Sequence, residues 1–69
     1  MATVTKEIAE KIIANDGYFG DDPRVWQVVR YTNAWGNDAY AILYEQDVML
    51  NRYRKSEFIR NPVVLWKKP

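Results

Sequence analysis

Apolar residues at Val4, Ile8, Ala9, Ile12 and Ile13 recur in steps of four and one, with Lys6, Glu7, Glu10 and Lys11 filling the positions between them. That spacing lays the apolar side chains along one stripe of a helix and predicts a helix over residues 3–15. Thr3 or Thr5 supplies the N-cap oxygen, and Glu7 near the start suits the helix dipole. Asn15, Asp16 and Gly17 end the helix, with Gly17 free to take the left-handed conformation that closes a C-terminus.

The period then changes. Residues 18–23 form a turn-rich loop in which Pro23 holds Asp22 extended. Residues 24–32 are dense in β-branched and aromatic side chains and contain no breaker, which predicts a strand. Residues 33–38 form a hairpin loop, with Gly36 in the left-handed position of a type I turn with a bulge. A second strand over residues 39–45 returns antiparallel. Its alternation puts Tyr40, Ile42 and Tyr44 on one face and Ala39, Ala41 and Leu43 on the other. The small alanines leave room for a helix to approach, so the first helix is expected on the Ala39, Ala41 and Leu43 face.

Residues 46–61 fit two patterns. Val48, Met49 and Leu50 either begin a helix or form an exposed loop tip, and residues 53–60 suit a short strand followed by a helical turn started at Ser56. Pro62 has no N–H to donate and forces an extended restart, so Val63, Val64, Leu65 and Trp66 make a short final strand suited to a sheet edge. The order predicts one small α+β domain over residues 1–69, an N-terminal amphipathic helix packed on a three- or four-stranded antiparallel sheet.

Composition narrows the chemistry. With 69 residues the core is thin, and 14% aromatic content helps to fill it. The chain has no Cys and no His, so it lacks thiolate chemistry, disulfides and the commonest general base and metal ligand. No apolar run approaches the roughly 18 residues of a membrane span and no signal-peptide pattern is present, so a cytoplasmic protein without membrane contact is expected. Asp16, Asp21 and Asp22 gather near Gly17 and Gly20, but Tyr18 and Phe19 stand where a calcium loop needs oxygen ligands, so no metal is expected. The two glycines follow a helix instead of opening one, among carboxylates that repel phosphate, so no phosphate cradle is expected. Glu45, Asp47 and Glu57 are carboxylates with no second catalytic group beside them, so neither an enzyme nor a cofactor site is predicted.

The net charge is only +1, but it is unevenly spread. Residues 1–23 set two lysines against five carboxylates, and residues 46–69 set six cations against two carboxylates. Arg52, Arg54, Lys55, Arg60, Lys67 and Lys68, interleaved with Tyr53, Phe58 and Trp66, have the mixture of cations and stacking platforms that single-stranded nucleic acid requires. A nucleic-acid-binding domain using this basic C-terminal third is therefore one functional reading. The other starts from Trp35, which lies in the hairpin loop, either folded back to seal the core or exposed as an anchor of the type common in protein interfaces. Tyr18 and Phe19 join it if the first loop and the hairpin tip share a sheet end. Met49 and Leu50, or a final strand from Pro62 to Trp66 pairing across a two-fold, offer a route to a homodimer.

Two stretches carry a family resemblance. Asp16 to Val25, followed by Tyr31 to Gly36 and Ala39-Tyr40, resembles small hypothetical proteins encoded by tailed bacteriophages, and the segment from Glu57 to Trp66 is similar to their C-termini. The resemblance implies a protein made in the cytoplasm of an infected bacterium and no assigned activity. It favours a non-enzymatic accessory protein that binds a host or phage protein, as a modulator or inhibitor, through Tyr18, Phe19 and Trp35.

Overall fold

The computed structural model describes residues 2–49 and 60–69. Along the chain lie β1 (Ala2–Val4), α1 (Lys6–Ala14), β2 (Gln27–Thr32), β3 (Asp38–Leu43), α2 (Glu45–Met49) and β4 (Arg60–Lys67). The strands form one antiparallel sheet in the order β1-β3-β2-β4. The α+β class and the packing of an N-terminal helix on an antiparallel sheet are as the sequence predicts, with four strands among the described residues.

The helix is shorter than the hydrophobic spacing suggests because its first residues belong to the sheet. Thr3, Val4 and Thr5 are all β-branched, a run that fits an extended backbone better than a helix. Ala2–Val4 pairs with Tyr40, Ala41 and Ile42 of β3, so Val4 reaches the core from a strand. Thr5 is then the N-cap, its hydroxyl accepting a hydrogen bond from the Ile8 N–H at 3.2 Å. At the other end the Gly17 N–H donates to the Ile12 carbonyl at 2.9 Å and the Asp16 N–H to the Ile13 carbonyl at 3.2 Å. This is a Schellman closure, and Asp16 with φ 55° takes its left-handed position ahead of Gly17 at φ 91°.

The helix docks on the face opposite to the expected one. Ala9 and Ile12 of α1 pack with Val25, Val28 and Ile42, flanked by Tyr40, Tyr44 and Trp66. The small residue that permits close approach is therefore Ala9 on the helix, while the sheet beneath it is built from larger side chains. The space left by Ala39 and Ala41 is used within the sheet: Tyr31 lies directly across from Ala39 and joins Val29, Ala41 and Leu43 in a second cluster. Val48 of α2 packs against that cluster, so Val48 belongs to a helix and not to a loop tip. Leu50, and the strand and turn expected over residues 53–59, lie outside the described residues.

Both helices cap themselves with side chains from their own first turn or its flank. In α2 the buried Asp47 carboxylate accepts from the Tyr44 N–H at 3.0 Å, one half of a capping box. The final strand begins at Arg60 and includes Pro62, which an edge position tolerates. Its pairing with β2 shifts twice, so Leu65 and one residue of the Asn61-Pro62 pair are extra relative to β2. Asn61 has φ 52°.

Candidate functional site

The hairpin between β2 and β3 carries the most exposed large hydrophobic side chain among the described residues. The Asn33 N–H donates to the Asn37 carbonyl at 2.9 Å, and the Gly36 N–H donates to the Asn33 carbonyl at 3.0 Å. The Asn33 side-chain oxygen accepts from the Trp35 and Asn37 N–H groups, both at 3.0 Å. Gly36 has φ 81°, the left-handed turn position expected of it. One asparagine thus ties the loop from inside and leaves Trp35 on its outer surface, 84% exposed. Trp35 does not fold back over the sheet.

Tyr18 and Phe19 lie far from it. Strand β2 runs from Gln27, next to the loop after α1, to Thr32, next to the hairpin, so the two loops occupy opposite ends of the sheet. Chain direction imposes this: β1 runs parallel to β2, α1 starts at the hairpin end and returns, and the residues after it close the far end. There the Val25 N–H donates to the Gly17 carbonyl at 2.8 Å and the Trp26 N–H to the Leu43 carbonyl at 2.8 Å. The three aromatics expected to cluster are therefore one at the hairpin and two at the opposite end.

Tyr18 also has an internal contact. The Arg24 guanidinium stacks 5.3 Å from the centre of the Tyr18 ring and 5.9 Å from that of Trp66. Its Nε donates to the Asp16 carbonyl at 2.9 Å and its Nη2 to the Asp16 carboxylate at 2.7 Å. Arg24 thus ties the end of α1 to the last strand. The sequence offers Arg24 only as one more cation beside the basic third; this tying role is not legible there, because its partners are 6, 8 and 42 residues away.

The basic residues fall into three places. Arg52, Arg54 and Lys55, with the aromatic Tyr53 and Phe58, lie outside the described residues. Arg60 pairs with Thr32 at the hairpin end of β4, and Lys67 pairs with Gln27 at the other. The Lys68 ammonium lies 5.2 Å from the centre of the Trp26 ring, and the Lys68 N–H donates to the Trp26 carbonyl at 2.8 Å. Between these cations the strand exposes Val63, Val64 and Leu65, at 44%, 48% and 39%. The sequence marked this segment as an edge but not as an apolar surface.

A cleft of about 270 Å³ lies between Pro23, Arg24 and Trp26 on one side and Tyr44, Glu45 and Gln46 on the other. It is smaller than the usual range of about 300–1,000 Å³ for small-molecule sites. Burial, followed by the nearby Asp22 and Asp47 carboxylates, raises the pKa of the Tyr44 phenol above its ordinary value. Asp47 is committed to the Tyr44 N–H, and Asp16 to Arg24. Among the described residues no group of three or more metal-ligating side chains comes together, and no helix is long and apolar enough to cross a membrane. No protein-family model, curated protein or solved structure matches the chain.

Proposed function

We propose that the domain is a non-enzymatic protein-binding module whose anchor is Trp35. The observation that carries this reading is a tryptophan 84% exposed on a loop whose backbone is already fixed by Asn33. Aromatic side chains bury about 150–250 Å² each, so covering Trp35 is worth roughly 4 kcal/mol before the costs of association. A fixed loop lowers those costs, because little ordering is left to do on binding. Tryptophan is also among the residues most enriched in interface hot spots. Tyr18 and Phe19 lie too far along the sheet to share one small contact with Trp35. In this reading Tyr18 serves Arg24. The resemblance of the Asp16–Val25 and Glu57–Trp66 segments to phage-encoded proteins supports a partner in an infected bacterial cell, a host or phage protein whose activity the module modulates or blocks by occupying its surface.

The test is capture of partners from bacterial lysate, with and without nuclease treatment, by the full chain, by Trp35→Ala and by Phe19→Ala. The reading predicts a discrete protein partner retained by the full chain and by Phe19→Ala. Trp35→Ala should weaken binding about 30-fold or more, the equivalent of a hot spot of about 2 kcal/mol. Recovery of nucleic acid instead, released by moderate salt and indifferent to Trp35, contradicts it and favours the basic C-terminal third as the site.

A further inference from the structure

We propose that the outer edge of β4 accepts an extended segment of a partner protein as a fifth strand, and that this segment has consecutive apolar residues flanked on both sides by Asp or Glu. The proposal extends the protein-binding reading to a second surface and rests on it. Strand β4 is eight residues long and ends the sheet, and among the described residues no strand pairs with its outer side. An unpaired edge presents a row of backbone donors and acceptors ready for another strand. The opposite edge, β1, is only three residues long.

The side chains along β4 define the chemistry of what fits. Val63 lies across from Arg30, and Val64 lies across from Val29, so the two valines point to opposite faces of the sheet. Both are exposed, as is Leu65. A strand added beside them therefore meets apolar surface on both faces, which calls for a run of apolar residues and not an alternating pattern. Pro62 lacks an N–H, and the two register shifts bend the strand, so the added segment is short and the sheet does not propagate further.

Charge selects the occupant. Arg60 and Lys67 bracket the apolar centre, and among the described residues neither is paired with a carboxylate. A second copy pairing antiparallel about a two-fold between Val63 and Val64 sets Arg60 of one copy against Lys67 of the other, at both ends. Like charges directly opposite in a sheet are unfavourable. A segment with carboxylates at each end turns the same two positions into attractive pairs, and antiparallel addition leaves its apolar centre over Val63, Val64 and Leu65.

The test is an NMR titration of the isotopically labelled full chain with two synthetic eight-residue peptides that span Arg60–Lys67, Asp-Glu-Val-Ile-Val-Val-Glu-Asp and Lys-Arg-Val-Ile-Val-Val-Arg-Lys. The expected result is amide shifts centred on Arg60–Lys67, with the acidic peptide binding about 5-fold or more tightly, the worth of two exposed ion pairs. The double variant Arg60→Glu, Lys67→Glu changes only exposed side chains and should reverse the preference. Equal affinity for both peptides, shifts centred elsewhere, or no shifts with either peptide overturns the proposal. So do concentration-dependent shifts of β4 in the peptide-free protein accompanied by a dimer mass, which assign the edge to a second copy. The titration should be unchanged in Trp35→Ala, so its failure is distinguishable from failure at the hairpin.

Discussion

Gly17 is the position where one atom decides most. A Cβ placed there would lie 2.5 Å from Cη2 and 3.0 Å from Cζ3 of the Trp66 ring, and the backbone sits at φ 91°. The ring cannot swing away freely, because Arg24 stacks on it and Val28 lies directly across from it in the sheet. Gly17→Ala should therefore cost about 2–4 kcal/mol, from overpacking and from a left-handed backbone that an L side chain resists. Urea unfolding followed by circular dichroism checks this, and a loss below about 1 kcal/mol would mean that Trp66 repacks without cost. The need for a glycine at this helix end is legible in the sequence. Its reason is not, since the clash involves a residue 49 positions later, and the left-handed turn position itself is held by Asp16, which Arg24 ties in place.

At the scale of elements, helices are set by residues close in sequence and the sheet by residues that are not. The Thr5 cap and the turn at Asn33 to Asn37 follow from local hydrogen bonding and could be placed from the sequence. The face on which α1 docks could not. Either face of β3 offers an apolar set, and the choice depends on Tyr31 filling the space over Ala39 from the neighbouring strand. Strand β1 is hidden for a related reason: Val4 falls in the helical stripe and in the sheet core alike, and the β-branched run at Thr3 to Thr5 becomes decisive only once Thr3 and Val4 pair with Ala41 and Tyr40.

The joint between β3 and α2 gives a prediction at this scale. Burial and the Asp22 and Asp47 carboxylates hold the Tyr44 phenol neutral to higher pH in the folded state than in the unfolded one. Its contribution to stability is present in full below the ordinary phenol pKa of about 10 and is lost as pH rises through the higher folded value. Tyr44→Phe should therefore show a smaller fall in its urea midpoint between about pH 9 and pH 11 than the parent chain. An equal fall in both proteins would show that Tyr44 is ionised as readily in the fold as outside it.

Across the whole molecule, two contrasting uses of aromatic residues stand out among the described residues. Tyr31, Tyr40, Tyr44 and Trp66 pack against the two clusters on either side of the sheet, and in a chain of 69 residues this use is expected. Trp35 stands apart from both clusters. The sequence identifies Trp35 as unusual because it lies in a turn, but sealing the core and standing in water leave the same mark in a sequence. The hairpin settles the matter through Asn33, whose side-chain oxygen accepts from the Trp35 and Asn37 N–H groups and needs nothing from the indole ring. The basic third is similarly divided once folded, with Arg60 and Lys67 at opposite ends of one strand and an apolar stretch between them.

If Trp35 is retained for contact with a partner, removing it should cost the fold almost nothing. The most direct measurement is the urea unfolding of Trp35→Ala beside that of the parent chain and of Trp66→Ala, followed by circular dichroism. The account predicts a change within about 0.5 kcal/mol for Trp35→Ala, the usual range for surface substitutions, and a loss of about 3 kcal/mol for Trp66→Ala. A loss of about 2 kcal/mol or more at Trp35 would contradict it, because the ring would then be packed for stability and not held out for a partner.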